Sequence, residues 1–233
     1  MGEHLEHKKY AQLFSEDRIS SYESIEEHDR NLDLIASITK DLAIIELVFR
    51  NRIDQIMLNR RQDWIRVWHA ELLIQKENGN LKNPREKAIF YKIDQEFQKK
   101  ENSLASHNHL ISRMMFGFWI EVAFYILQHR YCNSCDLIDV SNIDLKKYSK
   151  FNEKLKDNNL KLLIILALVQ KIRNRAFHWE NLLKNKERIL NNYKIIKIPN
   201  IYTAFRGFSN GIYADKIEVF LKDVLNNIDN ELN

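Results

Sequence analysis

The sequence predicts an all-α fold, a single helical domain over residues 1–233, and three observations predict it. The 233 residues include only five glycines and two prolines, where average usage would supply about 28 of the two together. A sheet protein rich in tight turns is thereby disfavoured. Apolar residues recur at spacings of three and four along most of the chain, the signature of amphipathic helices. A composition of 45% apolar and 29% charged residues suits a chain long enough to bury a core without disulfide staples. No internal repeat and no low-complexity linker divides it.

From Asp29 to roughly Arg60, the positions Leu32, Ile35, Ile38, Leu42, Ile45, Val48, Phe49, Ile53 and Ile56 form the apolar stripe of one long helix. Asp63 to Gln75 reads as a second helix, and ENGNLKNP, with Gly79 and Pro84, as a loop. Arg85 to Leu104 is a further helix with Ile89, Phe90, Ile93 and Phe97 inward. His109 to Tyr131 is apolar nearly all round, which predicts one central buried helix. Lys154 to about Arg188 reads as a basic helix with a break near His178. A strand-poor loop through Pro199, Gly207 and Gly211 comes next, and Ala214 to Leu232 closes the chain as an amphipathic helix.

Several function classes fall away. The chain contains neither GxGxxG nor GxxxxGK[ST], so no dinucleotide fingerprint and no phosphate loop is expected. The only cysteines, Cys132 and Cys135, are too few for a disulfide framework, and MGEHLEHKKY lacks the apolar core of a signal peptide, so a reducing cytoplasm is expected. The apolar run Leu162 to Val169 is far short of the roughly 20 residues that span a bilayer, so no membrane partner is expected. The formal net charge of +4 conceals an asymmetry: residues 146–197 hold 14 Lys plus Arg against four Asp plus Glu, and the remainder is net acidic. A basic block in an acidic chain fits a surface that meets phosphates, and equally a solvated lysine-rich face.

That block contains the residues with chemistry. At 100° per residue, Ile165, Val169, Ile172 and Ala176 form a core stripe, while Leu163, Ala167, Gln170, Asn174 and His178 lie on the opposite side. The second face is partly apolar, so a groove or a partner subunit is expected to cover it. Asn174 and His178 are i and i+4, with Arg173 at the flank. An imidazole works as acid or base near neutral pH and a guanidinium holds phosphate with paired donors, so the set suits cleavage of a phosphodiester. A polar helix end whose His caps backbone carbonyls gives the same pattern. One acid and one base require two imidazoles, and a two-fold dimer supplies them.

RNRAFHWENLL resembles the R-N-x-x-x-H motif of HEPN domains, and more narrowly that of the Abi-like (abortive infection) family, which carries a Glu two positions beyond the His. LFSEDRISSY resembles that family's L-S-x-x-R-[IL]-x-x-Y element, IIELVFRNRID its L-E-x-x-[LF]-R-N-x-[IL] helix, and FGFWIEVAF its F-G-F-W-V helix. The likeness spans about residues 13–183. Trp179 stands where the family often has a second His, and Asn181 where it often has Pro. The resemblance implies a HEPN-like helical bundle with additional N- and C-terminal helices, the last at about 214–232. It implies a metal-independent endoribonuclease, an anti-phage or toxin-type effector that is commonly dimeric through the motif helix. The motif maps onto Arg173, Asn174 and His178. The substrate's 2′-hydroxyl attacks the adjacent phosphorus and leaves a 2′,3′-cyclic phosphate; His178 shuttles the proton and Arg173 holds the phosphate. Lys171, Arg175, Lys184, Lys186 and Arg188 are the expected RNA contacts. Glu46, Arg50, Asn51 and Glu180 are candidate supporting residues. RNA is the expected partner, with an antitoxin or small regulatory RNA as a further one. The competing class is a non-catalytic RNA-binding or antitoxin-binding module.

No cofactor and no metal is expected. Cys132 and Cys135 form one CxxC with His129 nearby, short of the four ligands of zinc. His107 and His109 precede a buried helix and read as caps or solvent-facing groups. Met114, Met115, Phe116, Phe118 and Trp119 read as core, as do Trp64 and Trp68.

Overall fold

A computed structural model describes residues 9–99, 105–189 and 195–229. Helices dominate it. Residues 9–14 are helical, and after them come α1 (Glu16–Ile19), α2 (Ile25–Leu58), α3 (Trp64–Glu77), α4 (Pro84–Phe97), α5 (His107–Arg113), α6 (Phe116–Gln128), α7 (Ser134–Leu137), α8 (Asn158–Phe177) and α9 (Ile217–Asp229). The chain forms two compact units: residues 1–44, 143–155 and 167–226, and residues 45–142, 156–166 and 227–233.

The second unit is an aromatic helical core. Phe49 meets Phe116 edge-on, and Trp64 stacks on Phe118. The Trp64 indole N–H donates to Asp54 at 2.7 Å, and His107 Nε2 lies 2.9 Å from the same carboxylate, so the ring is buried with its polar atom satisfied. Local chemistry sets the helix starts. Asn83 caps α4 by accepting from the Arg85 N–H, and Pro84 fills the first position, where no N–H is needed. Ser106 caps α5 through the His109 N–H, while His109 itself lies beside Arg113.

The single helix expected from His109 to Tyr131 is two helices bent by 109° at Met114 and Met115, both extended. An apolar run with no polar phase cannot reveal a break, because every register looks buried. The bend seats Phe116, Phe118 and Trp119 in the core and leaves Met115 66% exposed, against the expectation that it is core. Among the described residues no single helix is long and apolar enough to cross a membrane.

The first unit holds the departure from an all-α fold. Two antiparallel hairpins occupy the stretch read as the end of a basic helix and a strand-poor loop: β1 (Lys186–Ile189) with β2 (Ile195–Ile198), and β3 (Ile201–Phe205) with β4 (Phe208–Ile212). β-Branched and aromatic residues in IIKI and IYTAF favour the pleated chain. Arg206 and Gly207 both take positive φ, the two-residue turn that matches strand twist. Lys186 and Arg188 are therefore strand residues, not helical ones. Gly211 stands in β4 because a Cβ there would lie 2.8 Å from Pro199 Cβ and 2.9 Å from the Ile201 carbonyl. Asn152 holds that strand's backbone, accepting from Gly211 N–H at 2.6 Å and donating to its carbonyl at 2.8 Å.

Candidate active site at the end of α8

The stripe Ile165, Val169, Ile172 and Ala176 is fully buried, as the helical period predicts. On the other face exposure rises along the helix. Leu163 is buried and Ala167 and Gln170 are half-buried within the chain, on the face that a groove or a partner subunit was expected to cover; Asn174 and His178 are exposed. Arg173 is half-buried. It donates to Asn174 Oδ1 at 3.4 Å and its guanidinium lies 4.8 Å from the Phe177 ring. Asn174 meets His178 through the backbone, the His178 N–H donating to the Asn174 carbonyl at 3.0 Å. The Asn174 amide is thus engaged by Arg173.

The helix stops one residue before the histidine for a local reason. Trp179 takes the left-handed conformation at φ 58, its N–H donates to the Ala176 carbonyl, and the Glu180 N–H donates to the Arg175 carbonyl. This is the Schellman closure, normally built on glycine. It leaves His178 as the last residue before the reversal, outside the helix wall. Exposed Phe177 and Trp179 flank it, at 40% and 52%.

Holding a tryptophan in this conformation costs about 1 kcal/mol, so the surroundings must enforce it. Arg18 Nη2 donates to the Trp179 carbonyl at 2.5 Å. Asn31, fully buried, donates to the Tyr22 hydroxyl at 3.0 Å and to the Glu180 carbonyl at 3.2 Å, and accepts from the Leu182 N–H at 2.8 Å. Burial pushes the Tyr22 phenol above its usual range. Asn181 donates to the Ser21 carbonyl and accepts from the N–H groups of Leu183 and Lys184. Arg175 pairs with Glu180 at 3.0 Å and donates to the Asn181 carbonyl at 2.7 Å; the Asn200 amide, in its satisfied orientation, accepts from both terminal nitrogens. The segment 18–31 and the loop 179–184 thus form one hydrogen-bonded block.

The candidate residues divide by what they do. Arg175 and Glu180 are tied to each other and to the loop. Lys171, Lys184, Lys186 and Arg188 are cations of the same unit, and Lys171 and Lys186 bring their ammonium groups 5.9 and 5.1 Å from the ring of Tyr202. Glu46, Arg50 and Asn51 belong to the second unit. Sequence reasoning missed Arg18, Asn31, Asn200 and Tyr202. Arg18 lies inside the LFSEDRISSY element; the others carried no signal before the hairpins were known. Cys132 sits in the second unit with its thiol pushed up to about 12 by burial, and His129 Nδ1 is 2.8 Å from the Tyr125 carbonyl. Among the described residues, no group of three or more His, Cys, Asp or Glu is placed to hold a metal ion.

No family model, no curated protein and no solved structure matches the chain.

Proposed function

We propose that the chain is a HEPN-type endoribonuclease of the abortive-infection kind, an anti-phage or toxin-type effector that cuts single-stranded or looped RNA. One observation carries the reading: an exposed histidine stands at a braced helix end, one turn beyond an Arg-Asn pair, in a unit whose lysines gather around an exposed tyrosine. Arg173 holds the scissile phosphate and opposes the charge that grows on it. An imidazole takes the proton of the 2′-hydroxyl as its oxygen attacks phosphorus. The bond to the 5′-oxygen breaks, a second imidazole protonates that oxygen, and a 2′,3′-cyclic phosphate remains.

Two imidazoles per site point to a homodimer in which each copy supplies one His178. Phe177 and Trp179 supply apolar surface beside the histidine for such a contact. RNA incubated with the purified chain in EDTA is expected to be cut, with cyclic phosphate ends, and His178→Ala is expected to abolish cutting while the protein stays folded. Equal cutting by that variant overturns the reading. The binding-module alternative predicts that wild type and variant hold RNA alike and neither cuts. Co-expressed wild type and His178→Ala should give heterodimers far below half activity if the histidines share one site.

A further inference from the structure

A second feature of the first unit lies outside the motif. The face of the first hairpin that carries Arg188 and Ile196, together with Tyr202, Gly211 and the segment 149–152, lines a cleft of about 400 Å³. That volume accepts a nucleotide. Tyr202 is 48% exposed, and Phe151, 43% exposed, stands at the same cleft. Gly211 is the cross-strand partner of Tyr202, so no side chain lies over the ring from that position. A Cβ there has no room, which keeps the position bare.

The polar groups are as telling as the rings. Asn210, 2% exposed, is the cross-strand partner of Thr203, so its side chain projects to the face opposite Tyr202, where its Oδ1 accepts from the Glu153 N–H at 3.2 Å and ties the strand to the wall of the cleft. Neighbouring Asn152 is satisfied at both ends of its amide and holds the wall still. Lys171 and Lys186 flank Tyr202, and Arg188 reaches the cleft, so cations surround an aromatic face on three sides. Exposed rings interleaved with cations are how proteins hold unpaired nucleic-acid strands. Lys171 is also two residues before Arg173 on α8.

We propose that this cleft is a base-binding subsite for single-stranded RNA. One base stacks on Tyr202, and the flanking phosphates meet Lys171, Lys186 and Arg188. The assignment deepens the RNA reading above, since it names where a strand reaching the motif helix would rest a base.

The test uses the full chain in a His178→Ala background and six-nucleotide RNAs of uridine or adenosine, monitored by fluorescence anisotropy. Both RNAs are expected to bind, since every base has a face to stack. Tyr202→Ala is expected to weaken uridine binding about tenfold, and Tyr202→Phe to retain it. Lys186→Ala, with its fold checked by circular dichroism, is expected to weaken both RNAs and to flatten the salt dependence of binding. Tyr202→Ala binding as tightly as its parent overturns the subsite, even if the wild-type chain cuts RNA. A wild-type chain that cuts nothing, with Tyr202→Ala still weakened, overturns the nuclease and leaves the subsite standing.

Discussion

Of the three Arg-Asn pairs in this chain, Asn31 of the first is buried, while Arg50-Asn51 and Arg173-Asn174 differ less in themselves than in the residue one turn further along. Arg50 donates to Asn51 Oδ1 at 3.3 Å on α2, and Arg173 donates to Asn174 Oδ1 at 3.4 Å on α8. In both the arginine is half-buried, the asparagine is exposed and the preceding residue, Phe49 or Ile172, is fully buried. Helix α2 then continues to Leu58, with Gln55 one turn beyond Asn51. Helix α8 ends at Phe177, with His178 one turn beyond Asn174 at a closed and braced terminus. The dipeptide alone is an ordinary helix-surface pair. A titratable group at a helix end is what separates the α8 pair from the α2 pair.

The sharpest way to break the comparison is to exchange that group. His178→Ala should lower RNA cleavage by about 10²- to 10⁴-fold, the range of a lost acid or base. Gln55→His, placed at the matching position of α2, should create no activity in that background. Cleavage rescued by Gln55→His would mean that the helix end is irrelevant. Next in size is the pair of arginines. Arg173→Ala should cost about 10²-fold in kcat/KM if, as proposed, it donates to the transition-state charge. Arg50→Ala should change kcat/KM less than about twofold if the α2 pair is only surface, and a matching loss there would give Glu46, Arg50 and Asn51 the supporting role the sequence suggested.

Helical period carried far in this chain where one face was polar. The α8 stripe, Ile35, Ile38, Leu42, Ile45, Phe49 and Ile53 of α2, and Ile89, Phe90 and Ile93 of α4 are buried as the spacing requires, while Leu32, Val48 and Ile56 of α2 are half-buried. The same rule fails where polarity gives no phase, as in the α5–α6 break. It fails again past His178, where Lys184, Lys186 and Arg188 continue the basic composition of α8 while the backbone turns into a hairpin. Composition there favours neither state, and in the second hairpin the Arg206-Gly207 turn lacks the Asn-Gly or Asp-Gly that marks such turns. At the site, Arg173, Asn174 and His178 were legible because they are local. The bracing of loop 179–184 was not, because Arg18, Asn31 and Asn181 act across more than a hundred residues of sequence.

That bracing yields a third contrast, since the α2 pair sits within a continuous helix and has no loop to hold. Asn31→Ala leaves the Glu180 carbonyl and Leu182 N–H without their buried partner, and should lower stability by about 2–4 kcal/mol, read from urea midpoints. Fast amide exchange should appear first at residues 179–184. A loss below about 0.5 kcal/mol would show that the loop holds itself. Trp179→Gly acts in the opposite direction. Glycine takes φ 58 without strain, so stability should rise by about 1 kcal/mol, provided the half-exposed indole contributes little packing. Cleavage should nonetheless fall if the indole serves the dimer contact, and a variant both more stable and fully active would remove Trp179 from the site.

The smallest expected effect concerns Tyr22, whose hydroxyl accepts from Asn31 and whose phenol burial holds above its ordinary range. As pH rises through about 10, the ordinary tyrosine value, Tyr22 ionises in the unfolded chain while the folded chain keeps its proton. The native state then binds more protons than the unfolded one, so stability must fall with rising pH in that window and be unaffected by this group below it. Tyr148, raised by burial and by its bond to Asp223, contributes a decline of the same sign. Only the difference between wild type and Tyr22→Phe isolates the clamp. That variant loses the acceptor for Asn31, a constant offset of about 1 kcal/mol at every pH. Its stability should then decline more gently than wild type above pH 10, so the two curves converge. Urea midpoints at pH 8, 9.5 and 10.5 read this directly. Parallel curves would show that Tyr22 ionises as readily folded as unfolded, which would place water, rather than a sealed contact, between the N-terminal segment and the loop that carries the reversal after His178.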